Sequence, residues 1–351
     1  MGLAESRYGG RARIVPQRGT KFGAKRNKVG ARLSKALGDT AEGDGMRAMG
    51  KTWVRGMAVL LITIFVATGT ACGQGAHGKE YWRAIAANRY EVLEGGKTFE
   101  LAKELSGYLK SSDPELRDDL AYSILATWIL EKDAFTANEL LTLEEEWRGN
   151  LKTGIGESET DSVLGRSFSA LCLAAIAERE LKKPFLGEAR YRTLLEAALQ
   201  YMKDEKDLRG FDAEKGWIHS AAHTADLLAA LAKHRLFTVQ DQGAVLRAIW
   251  WKLEGADVVF AFGEQDRLAN VLAAMAQRKD FDAVGFEAWL HQMDQTDQSV
   301  WKDSPPKMEG LQRFENDTYL LSAFVARVSQ GEVSPAAEES KKAALKSLQR
   351  R

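Results

Sequence analysis

The chain has 351 residues, of which 45% are hydrophobic and 28% charged, a composition that suits one large or two ordinary globular domains. Only six residues are proline and alternating β-branched runs are almost absent, so we predict an all-α protein without a sheet. The formal net charge is zero, but residues 1–71 carry thirteen basic and four acidic side chains, which leaves the remainder acidic and argues against nucleic acid as a partner.

The N-terminal part has the composition of a leader followed by a secretion signal. Residues 1–45 are rich in Gly, Arg and Lys without apolar periodicity, and we predict a disordered basic leader there. Residues 46–71 hold an apolar run at 57–67, which follows basic side chains and precedes small ones. This run is shorter than the roughly 20 residues of a membrane-spanning helix. We therefore predict a signal peptide at 46–71, with Met46 or Met49 as an alternative start of translation.

A cysteine follows the small residues at the end of this signal. Gly69-Thr70-Ala71-Cys72 resembles a bacterial lipobox, whose cysteine is lipidated and becomes the first residue, although Gly69 stands where that pattern usually has leucine. We predict an envelope protein anchored by lipid on Cys72. The alternatives are secretion after cleavage at Ala71, an uncleaved anchor, and a cytoplasmic protein with a long basic tail.

Helical periodicity recurs along the rest of the chain at an interval of about 50 residues. Runs that are apolar at i, i+3 and i+4 begin near residues 114, 165, 216, 263 and 311, and more polar amphipathic runs lie between them. This interval is close to that of two-helix HEAT or armadillo-like repeats. We predict an α-solenoid of about five stacked antiparallel helix pairs at 72–337, followed by a charged C-terminal tail at 338–351.

Polar motifs open these runs, and equivalent helix starts of a solenoid lie along one edge of the stack. Helix N-termini offer free N–H groups and a partial positive charge. Arginines in and near the motifs would add to that charge, so this edge suits an anionic group. The alternative is that the motif side chains only cap helices and tie repeats together. The predicted ligand-binding residues are Arg166, Ser167, Arg209, Trp217 and Arg267.

Two histidines four residues apart form the closest cluster of possible ligands or acid–base groups. His219 and His223 fall on one face of a predicted helix. A divalent metal would need a third ligand, for which Glu264 and Asp266 of the next repeat are better placed than Asp226 on the same helix. Three roles are open for the pair: a structural tie, a catalytic or binding site, or a metal site.

Ordered polar motifs lie within residues 95–330. They are Leu116–Tyr122, Gly165–Ser169, Asp207–Phe211, Lys215–His223 and Glu264–Leu268. Together these motifs resemble the bacterial family catalogued as domain of unknown function 2785. The resemblance implies a helical-repeat fold and supplies no activity. The predicted signal peptide is a departure, which puts a cytoplasmic location in doubt.

Two functional hypotheses follow from these patterns. The first is a non-enzymatic envelope protein that binds a protein partner or a small anionic ligand on the concave face of the solenoid. The second is a hydrolase or metal-dependent enzyme centred on His219 and His223 with Glu264 and Asp266. The sequence contains no phosphate-binding glycine loop, no His-Glu-x-x-His and no Gly-x-Ser-x-Gly motif, so it indicates no particular reaction.

Overall fold

The computed structural model describes residues 77–93, 95–330 and 333–351. The predicted leader, the signal peptide and Cys72 lie outside the described residues. Within them the chain is predominantly helical, which confirms the all-α prediction. The described residues form twelve α-helices: α1 (Lys79–Ala87), α2 (Thr98–Tyr108), α3 (Ser123–Leu130), α4 (Ala137–Asn150), α5 (Ser162–Lys182), α6 (Gly187–Asp204), α7 (Ser220–Ala232), α8 (Val239–Glu254), α9 (Glu264–Ala276), α10 (Ala283–Val300), α11 (Met308–Val328) and α12 (Pro335–Leu348).

The helices form two series that alternate along the chain. α3, α5, α7, α9 and α11 contact one another in chain order, and each of α4, α6, α8, α10 and α12 packs against a member of that series. α5 and α7 are buried on nearly all sides, as expected for helices whose apolar residues are not confined to one face. α4 and α8 begin at capping boxes formed by Thr136 and Thr238, which explains where these more polar helices start.

A two-stranded antiparallel hairpin precedes α7. β1 (Phe211–Asp212) pairs with β2 (Gly216–Trp217). The Asp212 carboxylate accepts hydrogen bonds from the N–H groups of Glu214 and Lys215, each at 2.8 Å, and closes the turn. The sequence predicts no sheet because strands of two residues are too short to show alternation. The hairpin places Trp217 beside the start of α7.

The C-terminal segment packs as a helix where its composition suggests a charged tail. α12 contacts α10 and α11, and Arg350 donates to Asp294 across 2.7 Å. The buried face of α12 consists of small residues, so it lacks the large apolar side chains that reveal a packed helix in sequence. No helix among the described residues combines the length and the apolar character needed to cross a bilayer. The buried residues of α12 are Ala337, Ser340, Ala344 and Ser347.

Candidate functional site

The predicted histidine pair lies at the start of α7, and the two residues differ in backbone conformation. His223 lies within the helix, whereas His219 precedes it as the N-cap residue, with a left-handed φ of 51°. The carbonyl oxygen of His219 accepts a hydrogen bond from the N–H of His223 at 2.9 Å. The prediction that both residues belong to one helix is therefore wrong, because a left-handed residue does not continue a right-handed helix.

Two glycines allow the neighbouring segments to approach this turn closely. A Cβ atom on Gly210 would lie 2.4 Å from a carboxylate oxygen of Glu264 and 2.5 Å from the ring of Phe262. One on Gly216, whose φ is +71°, would lie 2.9 Å from the ring of Pro114. Neither position accepts a side chain without strain. The glycines of the two sequence motifs therefore serve the close packing around the start of α7.

The ring of His219 is held by its neighbours. It stacks on the indole of Trp217 with ring centroids 4.3 Å apart, and its Nε2 donates to the carbonyl oxygen of Phe262 at 2.9 Å, since a carbonyl can only accept. Burial lowers the pKa of His219 to about 4, and the charge of Arg267 adds to this effect. His219 is thus neutral at pH 7 and ties the start of α7 to the α8–α9 connection.

The ring of His223 is held in the opposite tautomer. Its Nδ1 lies 2.8 Å from Oγ of Ser167, and that hydroxyl also bonds the carbonyl oxygen of Ile218. The carbonyl can only accept, so Ser167 gives its one proton to Ile218 and accepts the proton of Nδ1. Nε2 therefore carries a lone pair. It makes no hydrogen bond to any described residue, and His223 as a whole is 6% exposed.

Two arginines lie near His223. Arg117, in a π-helical segment (Glu115–Tyr122) that leads into α3, is fully buried and lies over the ring of Phe168, 4.9 Å from its centroid. Phe168 in turn packs edge-on against His223. The hydrogen bonds of Arg117 within the described residues go to backbone carbonyls, so its charge has no bound carboxylate, and its Nε has no partner there. Burial and the charges of Arg117 and Arg267 hold the pKa of His223 well below its usual value.

The acidic groups near the histidines are either paired with a cation or shifted toward their neutral form. Nη1 of Arg267 donates to Asp226 across 2.7 Å, so that carboxylate is paired. Asp118 is half-buried, and burial together with the charge of Asp119 raises its pKa to about 6. Burial also raises the pKa of Tyr122, which keeps the phenol protonated. The surroundings of His223 therefore combine a neutral acceptor with cationic groups that are only partly compensated.

The arrangement does not match a metal centre. Among the described residues, no group of three His, Cys, Asp or Glu side chains is placed to hold an ion. The rings of His219 and His223 are 5.7 Å apart and inclined at 84°. Of the predicted third ligands, Glu264 accepts from the N–H of Phe262 at 2.9 Å and Asp266 is exposed to solvent. Glu264 lies 3.7 Å from Nε2 of His219, but that nitrogen donates to Phe262 and His223 bonds Ser167. The four predicted residues therefore do not converge on one point.

A protein-family model matches the part of the chain that contains the histidines. It is described as Protein of unknown function (DUF2785), and it matches residues 151–325. This part of the chain belongs to the DUF2785 family. The matched region contains Ser167, His223 and Arg267, whereas Arg117 precedes it. No curated protein and no solved structure matches the chain. The DUF2785 assignment confirms the resemblance and brings no activity with it.

The structure places the five predicted ligand-binding residues in two different settings. Arg166 is buried and donates twice to the carboxylate of Glu205, at 2.6 and 3.0 Å. Arg209 donates in the same way to Asp207, at 2.8 and 2.5 Å. Both arginines are structural ties, as the alternative interpretation predicts, because their donors are already used. The predicted ligand-binding residues that do lie around the histidines are Ser167, Trp217 and Arg267.

The residue that sequence reasoning missed at this site is Arg117, which lies outside the DUF2785 match. Its motif, Leu116–Tyr122, was identified as the start of a helix and as part of the family resemblance, without a role for the arginine. The contacts that give it a role are with backbone carbonyls of Lys215 and Trp217, which come about 100 residues later in the chain. The segment around Arg117 contains Glu115, Asp118 and Asp119, so the arginine does not stand out there as a candidate.

Proposed function

We propose that the protein is a binding protein for a small anion that retains a hydrogen-bond donor at pH 7, such as hydrogen phosphate. The observation that carries the proposal is the open lone pair on Nε2 of His223. A neutral imidazole in this tautomer can only accept at that atom. The guanidinium groups of Arg117 and Arg267 favour a negative charge beside it.

The direction of the hydrogen bonds supports binding over nucleophilic catalysis at Ser167. A serine nucleophile gives its proton to the histidine that acts as base. Here Ser167 gives its proton to Ile218 and receives one from His223. The alternative enzyme centred on the histidines with Glu264 and Asp266 is less well supported. Glu264 lies 3.7 Å from Nε2 of His219, but that nitrogen donates to Phe262, and Asp266 is exposed to solvent.

Phosphate and sulfate are matched probes for this proposal. Both are tetrahedral oxyanions, but inorganic phosphate at pH 7 is hydrogen phosphate or dihydrogen phosphate and so carries at least one P–O–H donor, whereas sulfate carries none. A sulfate oxygen would face the lone pair of Nε2 with a lone pair of its own. We expect phosphate to bind roughly tenfold more tightly than sulfate, or about 1.4 kcal/mol, in calorimetric titrations at pH 7.

Two arginine variants distinguish the loss of an anion-binding side chain from the loss of one positive charge elsewhere on the protein. Arg267→Ala should weaken phosphate binding roughly tenfold, because it removes the half-exposed guanidinium beside His223. The matched control is Arg327→Ala, which removes an exposed arginine from the last turn of α11 and should leave binding unchanged. Equal affinities for phosphate and sulfate, or equal effects of the two variants, would contradict the proposal.

We also propose that the helix pairs wind as a right-handed α-solenoid and that the site lies on its concave face. Support comes from the contacts of α5, α7 and α9 in chain order and from the repeat interval in the sequence. A concave face built from these helices would gather their starts around His223.

We propose a lipid-anchored location in the cell envelope, supported by the sequence that ends in Cys72. Cys72→Ser should move the protein from the membrane fraction to the soluble fraction. Wild-type protein that is soluble in the cytoplasm with residues 46–71 intact would refute the signal peptide. Soluble protein cleaved after Ala71 would indicate plain secretion instead.

A further inference from the structure

A cleft separate from the histidine site opens between the segment after α6 and the end of α8. Its volume is about 310 Å³, and its lining includes Lys203, Lys206, Trp251 and Lys252. Trp251 is 45% exposed and Val258 37% exposed. Large apolar side chains with this exposure offer a flat surface to a ligand. The cleft therefore presents both an apolar wall and lysine amines.

Lys252 differs from the other lysines of this cleft because it is buried. Its side chain is only 5% exposed, and Nζ donates to the backbone carbonyl of Glu205 at 2.6 Å. Within the described residues it forms no ion pair, since the carboxylate of Glu205 is committed to Arg166. Glu205 and Asp204 attract the ammonium and Lys206 repels it. The amine is thus desolvated and only weakly compensated.

Desolvation gives the Lys252 amine the protonation state of a nucleophile. Burial lowers the pKa of Lys252 to about 8. Roughly half of the molecules then carry a neutral amine at pH 8, whereas an exposed lysine is almost fully protonated at that pH. A desolvated lysine with a free lone pair is the usual origin of Schiff-base chemistry in proteins.

We propose that Lys252 is a carbonyl-reactive lysine that forms an imine with an aromatic aldehyde or ketone bearing an anionic group. The lone pair of Nζ attacks the carbonyl carbon and a C–N bond forms. The carbonyl oxygen leaves as water with the two hydrogens of the amine, so no oxidant or reductant is needed. The aromatic part would lie against Trp251. Glu159 and Asp257 also line the cleft and would repel an anion. The anionic group of the ligand would therefore lie beside Lys206 instead.

The proposal is independent of the anion site at His223 and is tested on wild-type protein. Pyridoxal 5′-phosphate serves as the probe at pH 8, sodium borohydride reduces any imine to a stable amine, and peptide mass spectrometry locates the label. We expect Lys252 to be labelled roughly tenfold or more in excess of Lys203 and Lys206, two exposed lysines of the same cleft. Labelling spread evenly over the three lysines, or absent from Lys252, would overturn the proposal.

Two variants sharpen this experiment. Lys252→Arg keeps the positive charge and should abolish the label at this position without shifting it to Lys203. Lys206→Gln should slow labelling by pyridoxal 5′-phosphate and leave labelling by pyridoxal, which lacks the phosphate, unchanged. If both probes label Lys252 equally in the wild type, the anionic part of the proposal is wrong. Should Lys252→Arg not fold, the comparison of the three wild-type lysines still decides.

Discussion

Arg166→Met is expected to destabilise the protein by about 3–5 kcal/mol, the usual cost of breaking a buried ion pair by removing one partner. The Arg166 side chain is fully buried and its two donors bind Glu205. A further nitrogen donates to the carbonyl oxygens of Thr153 and Gly154, at 3.0 and 2.9 Å. The variant leaves a buried carboxylate without its counter-charge. The midpoint temperature of thermal unfolding should fall by roughly 6–20 °C.

Control variants separate this effect from ordinary loss of a surface charge. Glu205→Gln should cost a similar amount, because it leaves the Arg166 guanidinium buried and unpaired. Lys342→Ala breaks a solvent-exposed pair with Glu339 on α12 and should leave the unfolding temperature nearly unchanged. If Arg166→Met costs no more than Lys342→Ala, the ion pair does not hold the loop before α5 as the structure indicates.

Acid should destabilise the wild type more than the His219→Asn variant. The pKa of His219 is about 4 in the folded protein against an ordinary value of 6.5. Between pH 6.5 and pH 4, His219 becomes protonated in the unfolded chain but stays neutral in the folded protein. Its contribution to the free energy of unfolding is therefore complete above pH 6.5 and is lost as the pH falls toward 4. The loss reaches about 3 kcal/mol near pH 4. Asparagine suits the test because it tolerates the left-handed backbone at this position.

Urea unfolding at pH 7 and at pH 4 measures this difference directly. Asparagine costs some stability at both pH values, since it loses the stacking on Trp217 and the bond to Phe262, so the comparison is of pH dependence. His291→Asn is the matched control, because it makes the same substitution at a histidine that lies exposed on α10. Identical pH dependence in His219→Asn and wild type would show that His219 titrates normally in the folded protein.

The helical class of the fold could be predicted because periodicity is a local property. Apolar spacing in segments such as 220–232 and the paucity of β-branched alternation both report on neighbouring residues. The hairpin at 211–217 and the packing of α12 were not predicted, each for its own reason. Two-residue strands are too short to leave a pattern, and the buried face of α12 is made of alanine and serine, which occur equally on exposed helices.

The candidate site could be located from the sequence but its pairings could not. His219, His223 and Ser167 were all identified by motif, and the DUF2785 match contains all three. Whether a polar side chain is free depends on partners far along the chain. Arg166 meets Glu205 after 39 residues, and the left-handed backbone of His219 depends on the hairpin before it. Such contacts arise from packing, which sequence spacing does not encode.

The ¹⁵N chemical shifts of the His223 ring test the central claim most directly. In histidine-labelled protein at pH 7, assigned with a His223→Gln variant, we expect a protonated Nδ1 and an unprotonated Nε2. Phosphate should move the Nε2 resonance upfield as that atom accepts a hydrogen bond, and sulfate at the same concentration should not. A ring protonated on Nε2, or an Nε2 resonance that saturating phosphate leaves in place, would contradict the proposed anion site.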